Sequence, residues 1–104
     1  MRDLVITDEA NEDMAALFTY IADAATDAIG RRFVEQLTAR FHRIADLPGT
    51  LGTDRSDLAP ALRSTPYQGY VIYFRYEGDA VEIVNVLDAR RDVAAHFSPQ
   101  DRAD

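Results

Sequence analysis

The chain has 104 residues, of which 47% are apolar and 28% charged, so it can bury one modest core and is not of disordered composition. It has no cysteine, and all eleven basic residues are arginine, which excludes disulfides, thiolate zinc sites, cysteine nucleophiles, P-loops and lysine Schiff-base chemistry. The formal net charge of −7 argues against steering onto free nucleic acid and fits a protein partner that is basic where it meets this chain.

The elements follow in chain order. Asp3–Thr7 reads as a short strand, because Leu4, Val5 and Ile6 are apolar and two of them are β-branched. Thr7 or Asp8 can cap a helix over 8–25, in which Ala10, Met14, Leu17 and Ile21 recur at helical spacing and Phe18 widens the stripe. Thr26 can cap a second helix over 27–46, with Ile29, Phe33, Leu37, Phe41 and Ile44 on one face and an Arg31–Glu35 pair on the other. Pro48 and Gly49 end it. Residues 49–61 form a polar connection, and Leu62–Tyr67 can be extended. Tyr70–Tyr76 and Val81–Leu87 are β-branched and aromatic runs around the turn Glu77–Gly78–Asp79, which predicts a hairpin. Glu82 and Asn85 are the polar positions of the second run. Residues 90–97 can form a short helical turn, and Ser98–Asp104 reads as a polar, frayed tail. The order β-α-α-β-β-β predicts an α+β fold. A helical hairpin would lie on one face of a sheet of antiparallel strands, in a single domain over 1–104. No apolar run approaches the roughly 18 residues of a membrane span, and Met1–Thr7 is too short for a signal peptide, so a cytoplasmic protein without membrane contact is expected.

Four pieces of the chain, in order, resemble the toxins of the RelE/ParE superfamily, on its ParE-like branch. They are Val5-Ile6-Thr7 with Ala10, Asp13, Tyr20 and Ile21; then Phe33, Leu37 and Phe41 with Leu47, Pro48 and Gly52. The third is Asp57-Leu58 with Leu62-Arg63-Ser64 and the run from Tyr70 to Tyr76, and the fourth is Val81–Asp92. One departure stands out: Asp88 occupies the place where many such relatives have His, followed by Ala89 and Arg90, while Arg91 and Asp92 are retained. The resemblance implies the toxin component of a type II toxin–antitoxin system, neutralised by direct binding of a ParD-like antitoxin. ParE-like members inhibit DNA gyrase and are not enzymes, whereas RelE-like members are ribosome-dependent mRNA interferases. A degenerate, non-toxic homologue is the third reading, and the Asp88 departure keeps it open.

The candidate residues carry bland readings beside functional ones. Arg63, Arg75, Arg90 and Arg91 fall on or just after strands, and a sheet can gather them into a basic patch for a target or antitoxin; each can equally pair with a nearby acid, Arg91 with Asp92 for instance. The interferase alternative needs a base, an acid and positive charge at a phosphate, for which His96, Arg91, Arg63 and Glu82 are the available set. A lone His before Phe97 is more often a surface or packing residue. His42 lies on the second helix. Tyr67, Tyr70, Tyr73 and Tyr76 suit a half-buried strand better than base stacking. Glu9, Glu12 and Asp13 serve the helix dipole better than a metal. No cofactor, metal or direct nucleic-acid contact is expected. Unburied apolar surface is expected near Phe18, Tyr20 or Phe33.

Overall fold

The computed structural model describes residues 2–97. Strand β1 (Asp3–Ile6) runs straight into helix α1 (Asp8–Ala24). Between them Thr7 keeps an extended backbone, and its hydroxyl accepts the Ala10 N–H at 3.1 Å. Thr26 accepts the Ile29 N–H at 3.1 Å and opens α2 (Asp27–Asp46) in the same way. Each threonine thereby satisfies one of the donors that a helix start leaves orphaned. The two helices form the expected hairpin, and they meet closely at Gly30. A Cβ there would lie 3.1 Å from the Phe18 carbonyl oxygen, so a larger residue would force the helices apart.

That contact explains one departure from the expected stripe. Successive residues on a helix point about 100° apart. With Gly30 turned to α1, Ile29 is turned away and is 51% exposed. The expected Arg31–Glu35 pair is also absent from the ion pairs among the described residues, and both side chains are exposed.

After α2 the chain adds β2 (Thr53–Asp54), β3 (Arg63–Tyr67), β4 (Tyr70–Glu77), β5 (Ala80–Asp88) and the single-turn helix α3 (Val93–His96). Together with β1 these strands form one sheet in the order β1-β5-β4-β3-β2. The strands after the hairpin are antiparallel as expected, and two features add to that reading. The polar connection contains the extra strand β2, antiparallel to β3. The first strand lies parallel to the last, with Leu4 opposite Val81 and Ile6 opposite Ile83. The connection between these two parallel strands is long: the helical hairpin carries the chain from β1 to β2 at the other edge, and the antiparallel strands β2 to β4 bring it back to β5. The expected tail Ser98–Asp104 lies outside the described residues.

The core sits between the helices and one sheet face. Ala10, Leu37, Phe41 and Ile44 meet Ile72, Phe74, Val81 and Ile83, all fully buried. On the opposite face a smaller cluster of Leu62, Tyr73 and Leu87 is covered by Leu58, Val93 and Phe97, so α3 and the 55–62 loop close that side. Between the Tyr73–Asn85 and Phe74–Ile83 pairs, Val84 has no partner on β4. This bulge breaks the strict alternation of β5. The helix side holds it: the Thr7 N–H donates to the Ile83 carbonyl, and the Thr7 hydroxyl proton is shared between the Ile83 and Val84 carbonyls at 2.9 and 3.0 Å.

Candidate functional site

Past the bulge, β5 stays paired with β4 out to Asp88 but no longer has β1 beside it, and a cleft of about 320 Å³ is lined there by residues of α1 and β5. Ala16, Leu17 and Tyr20 line it from α1, Tyr70 and Val86 from the sheet, and Arg91 from the chain just beyond β5. Its floor is held by Asp13. One carboxylate oxygen, Oδ2, accepts both the Asn85 side-chain amide at 2.8 Å and the Val86 N–H at 2.9 Å. Asn85 is 2% exposed, so this bond supplies a buried amide with its acceptor. Asp13 thus fastens α1 to β5; its expected service to the helix dipole is corrected, because only Asp8 and Glu9 occupy the acidic first turn.

The rim is built from the departure seen in the sequence. Asp88 Oδ1 accepts the Arg90 N–H at 2.8 Å and its Nε–H at 3.1 Å, while Oδ2 accepts from Nη2 at 3.1 Å. These bonds, side chain before backbone, hold the Asp88 carboxyl down at about 2. Burial raises the Tyr70 hydroxyl above its ordinary value, and the Asp88 charge adds to that. The ionised form of Asp88 is the one the fold favours. Any stability from the pair is therefore complete above the unfolded carboxyl's ordinary value and is lost as pH falls through about 2. A carbon-detected NMR titration should find the Asp88 midpoint near 2. A midpoint at the ordinary aspartate value would show that the Arg90 fork is open in solution.

The four arginines do not gather into one patch. Arg63 lies opposite Phe74, on the helix side of the sheet, where its Nε and Nη2 donate to the Leu51 and Gly52 carbonyls at 2.8 Å each. Arg75 is the next residue of β4 after Phe74 and so points to the opposite face. There it pairs with Glu82, its register partner, at 2.6 Å, and more loosely with Glu77. Arg90 belongs to Asp88, at the far end of β5 from Glu82, about 20 Å away at the rise of an extended strand. Arg91 is exposed, and its side chain has no hydrogen bond or ion pair among the described residues. The expected Arg91–Asp92 pair is not formed: Asp92 caps α3 by accepting the Ala95 N–H at 3.2 Å.

The same geometry separates the interferase set. Arg63 and Glu82 lie on opposite sheet faces and are both engaged. His96 ends α3, stacked edge-on against Phe97, which in turn packs on Tyr73. His42 is exposed on α2. The tyrosines serve the fold. Tyr73 is 2% exposed, the Tyr76 hydroxyl accepts the Leu51 N–H at 2.8 Å, and Tyr67 and Tyr70 pack edge-on against Phe33. The expected apolar surface is present at Tyr20, 66% exposed, while Phe18 and Phe33 are half-buried. Sequence reasoning misses Asp13 and Asn85 as a pair; the available signal is a lone amide in an otherwise apolar strand.

The comparisons agree with this architecture. A family described as the ParE toxin of the type II toxin-antitoxin system, parDE, matches residues 4–93. Toxin ParE3 of Caulobacter vibrioides is 28% identical over 97 residues, covering 93% of this chain and 96% of that protein. A solved structure titled "Chromosomal ParDE TA system from P. aeruginosa" shares the fold, with a TM-score of 0.73 at 16% identity over 85% of this chain and 96% of that one. The chain therefore belongs to the ParE family of toxins of type II toxin–antitoxin systems.

Proposed function

We propose that this protein is a single-domain, cytoplasmic toxin that arrests growth by binding DNA gyrase and is held inactive by direct contact with a ParD-like antitoxin. It needs no cofactor, and its action is stoichiometric rather than enzymatic. The family match over residues 4–93 supports the toxin assignment. Among the described residues no helix is long and apolar enough to cross a membrane. One observation favours gyrase over mRNA cleavage. Arg63 and Glu82, two of the four residues available for an interferase site, are engaged by internal partners on opposite faces of the sheet.

Inducing the chain alone in cells tests this reading. The expected result is growth arrest with DNA-damage signalling and gyrase-linked breaks, transcripts remaining intact. His96→Ala should leave the arrest in place, because no proton transfer passes through the imidazole. Removing a general acid or base from an enzyme would instead cost about 10²–10⁴ in rate and rescue growth. Cut transcripts, undisturbed gyrase and rescue by His96→Ala would overturn the gyrase reading in favour of the interferase. A folded chain that causes no arrest would mark the degenerate homologue.

A further inference from the structure

The two edges of the sheet are built differently. At the far edge β2 is only two residues long, and β3 beside it carries Pro66, which has no N–H to offer a further strand. At the near edge β1 has no proline, bulge or basic residue over Asp3–Ile6, and no strand lies outside it among the described residues. Its side chains alternate: Leu4 and Ile6 pack on the core, while Val5 is 44% exposed on the other face. Its backbone groups alternate as well. The Asp3 and Thr7 N–H groups donate to the Asp79 and Ile83 carbonyls, so residues 3, 5 and 7 address β5, and the peptide groups of Leu4 and Ile6 point away from it. Toward the N-terminus the Arg2 N–H is taken on that outer side by the Ala45 carbonyl at 3.3 Å, and toward the C-terminus Asp8 begins α1. The open edge is a window from Leu4 to Ile6.

We infer that this window is a self-association surface, where β1 of a second copy of the chain pairs antiparallel about a two-fold axis at Val5. What favours a second copy is that the window is complementary to itself, and in one register alone. With the axis at Val5, Leu4 of each copy faces Ile6 of the other. Each such pair exchanges two N–H···O bonds, so every open group of both windows is satisfied. An axis at Leu4 would set Ile6 against Arg2, whose N–H is already used, and an axis at Ile6 would set Leu4 against Asp8, which is helical. An axis between two residues would set outward groups against inward ones. The pairing at Val5 also puts the two exposed valines in contact, and it brings Arg2 of each copy to the exposed Asp8 of the other. Opposite charges then meet at both ends of the pairing, although each chain carries −7 overall. The product is one continuous sheet of ten strands, five from each copy, with both helical hairpins on the same face.

The chain has no cysteine, so Val5→Cys makes a single-site test. In a non-hydrogen-bonded antiparallel pair the two Cα atoms lie about 4.5 Å apart, within the span of about 4.4–6.8 Å that a disulfide bridges. Oxidation of the purified full chain by itself, with copper-phenanthroline in air, is expected to link Val5→Cys into a covalent dimer. Ile29→Cys, at a position 51% exposed on α2, should stay largely monomeric. Analytical ultracentrifugation of the wild type should show a reversible monomer–dimer equilibrium. Val5→Lys should weaken it at least about tenfold, because like charges then meet at the axis, with the circular dichroism spectrum unchanged. A wild type that stays monomeric at every concentration would overturn the proposal, as would Ile29→Cys linking as readily as Val5→Cys. A dimer that Val5→Lys leaves at wild-type strength would place the contact on another face and overturn it too. Amide exchange at Leu4 and Ile6 that slows only when the neighbouring gene's product is added would give the edge to a partner's strand and rule out self-pairing.

Discussion

Phe41→Ala is expected to lower the unfolding free energy by about 3–5 kcal/mol, the usual cost of truncating a fully buried phenylalanine. The ring is 0% exposed in the middle of α2, within the cluster that joins Leu37 and Ile44 to Ile72, Phe74 and Ile83. Loss of transfer energy is only part of the cost. Helices on one side and the sheet on the other hold the walls of the resulting cavity apart, so it cannot collapse, and unrelieved cavities mark the upper end of the range. A chain of this size has about 5–15 kcal/mol of total stability, so the variant should sit near the edge of folding at 37 °C. Urea denaturation with an unchanged slope measures the loss. A loss below about 1 kcal/mol would mean that Phe41 faces solvent and that α2 is turned from its described phase.

The second large effect is expected at Gly52. Its φ is +83°, and a Cβ built there would lie 2.5 Å from the Ser64 carbonyl oxygen and 3.1 Å from Phe74 Cζ. A left-handed conformation costs a residue with a side chain about 1–2 kcal/mol, and forcing atoms into a packed site typically costs about 1–3 kcal/mol more. Gly52→Ala should therefore destabilise by about 2–5 kcal/mol. The loop has little room to relieve the overlap, because Arg63 grips it through the Leu51 and Gly52 carbonyls and Tyr76 holds the Leu51 N–H. Gly49→Ala is the control. Gly49 shares the positive φ, but a Cβ there would meet nothing within 4 Å, so only the backbone cost of about 1–2 kcal/mol should remain. Equal losses at the two positions would show that the Ser64 contact relaxes freely.

The features legible in the sequence are those set by neighbours a few residues apart. Thr7 and Thr26 announce their helices because a hydroxyl reaches the N–H three residues on. The Leu37-Phe41-Ile44 stripe and the apolar run of β4 declare their periods, and the two-residue Gly78–Asp79 loop declares the β4–β5 hairpin. These elements, with the four ordered pieces of family resemblance, suffice for an α+β toxin fold.

What the tertiary structure alone decided is which distant groups become partners. Nothing local distinguishes a parallel from an antiparallel β1; its pairing with β5, continued by the Thr7 contacts to Ile83 and Val84, is made only in the folded chain. Arg63, Arg75, Arg90 and Arg91 look alike in sequence. The sheet gives the first two carbonyls and a carboxylate on opposite faces, closes the third onto Asp88 and leaves the fourth beside the cleft. Asp13 sits in a helix turn that reads as solvent-exposed, yet its carboxylate carries the bulged end of β5. The reason is physical. Hydrophobic period is a property of one element, while the partner of a charge is whichever group folding brings within about 3 Å, and that distance is set by the packing of several elements at once.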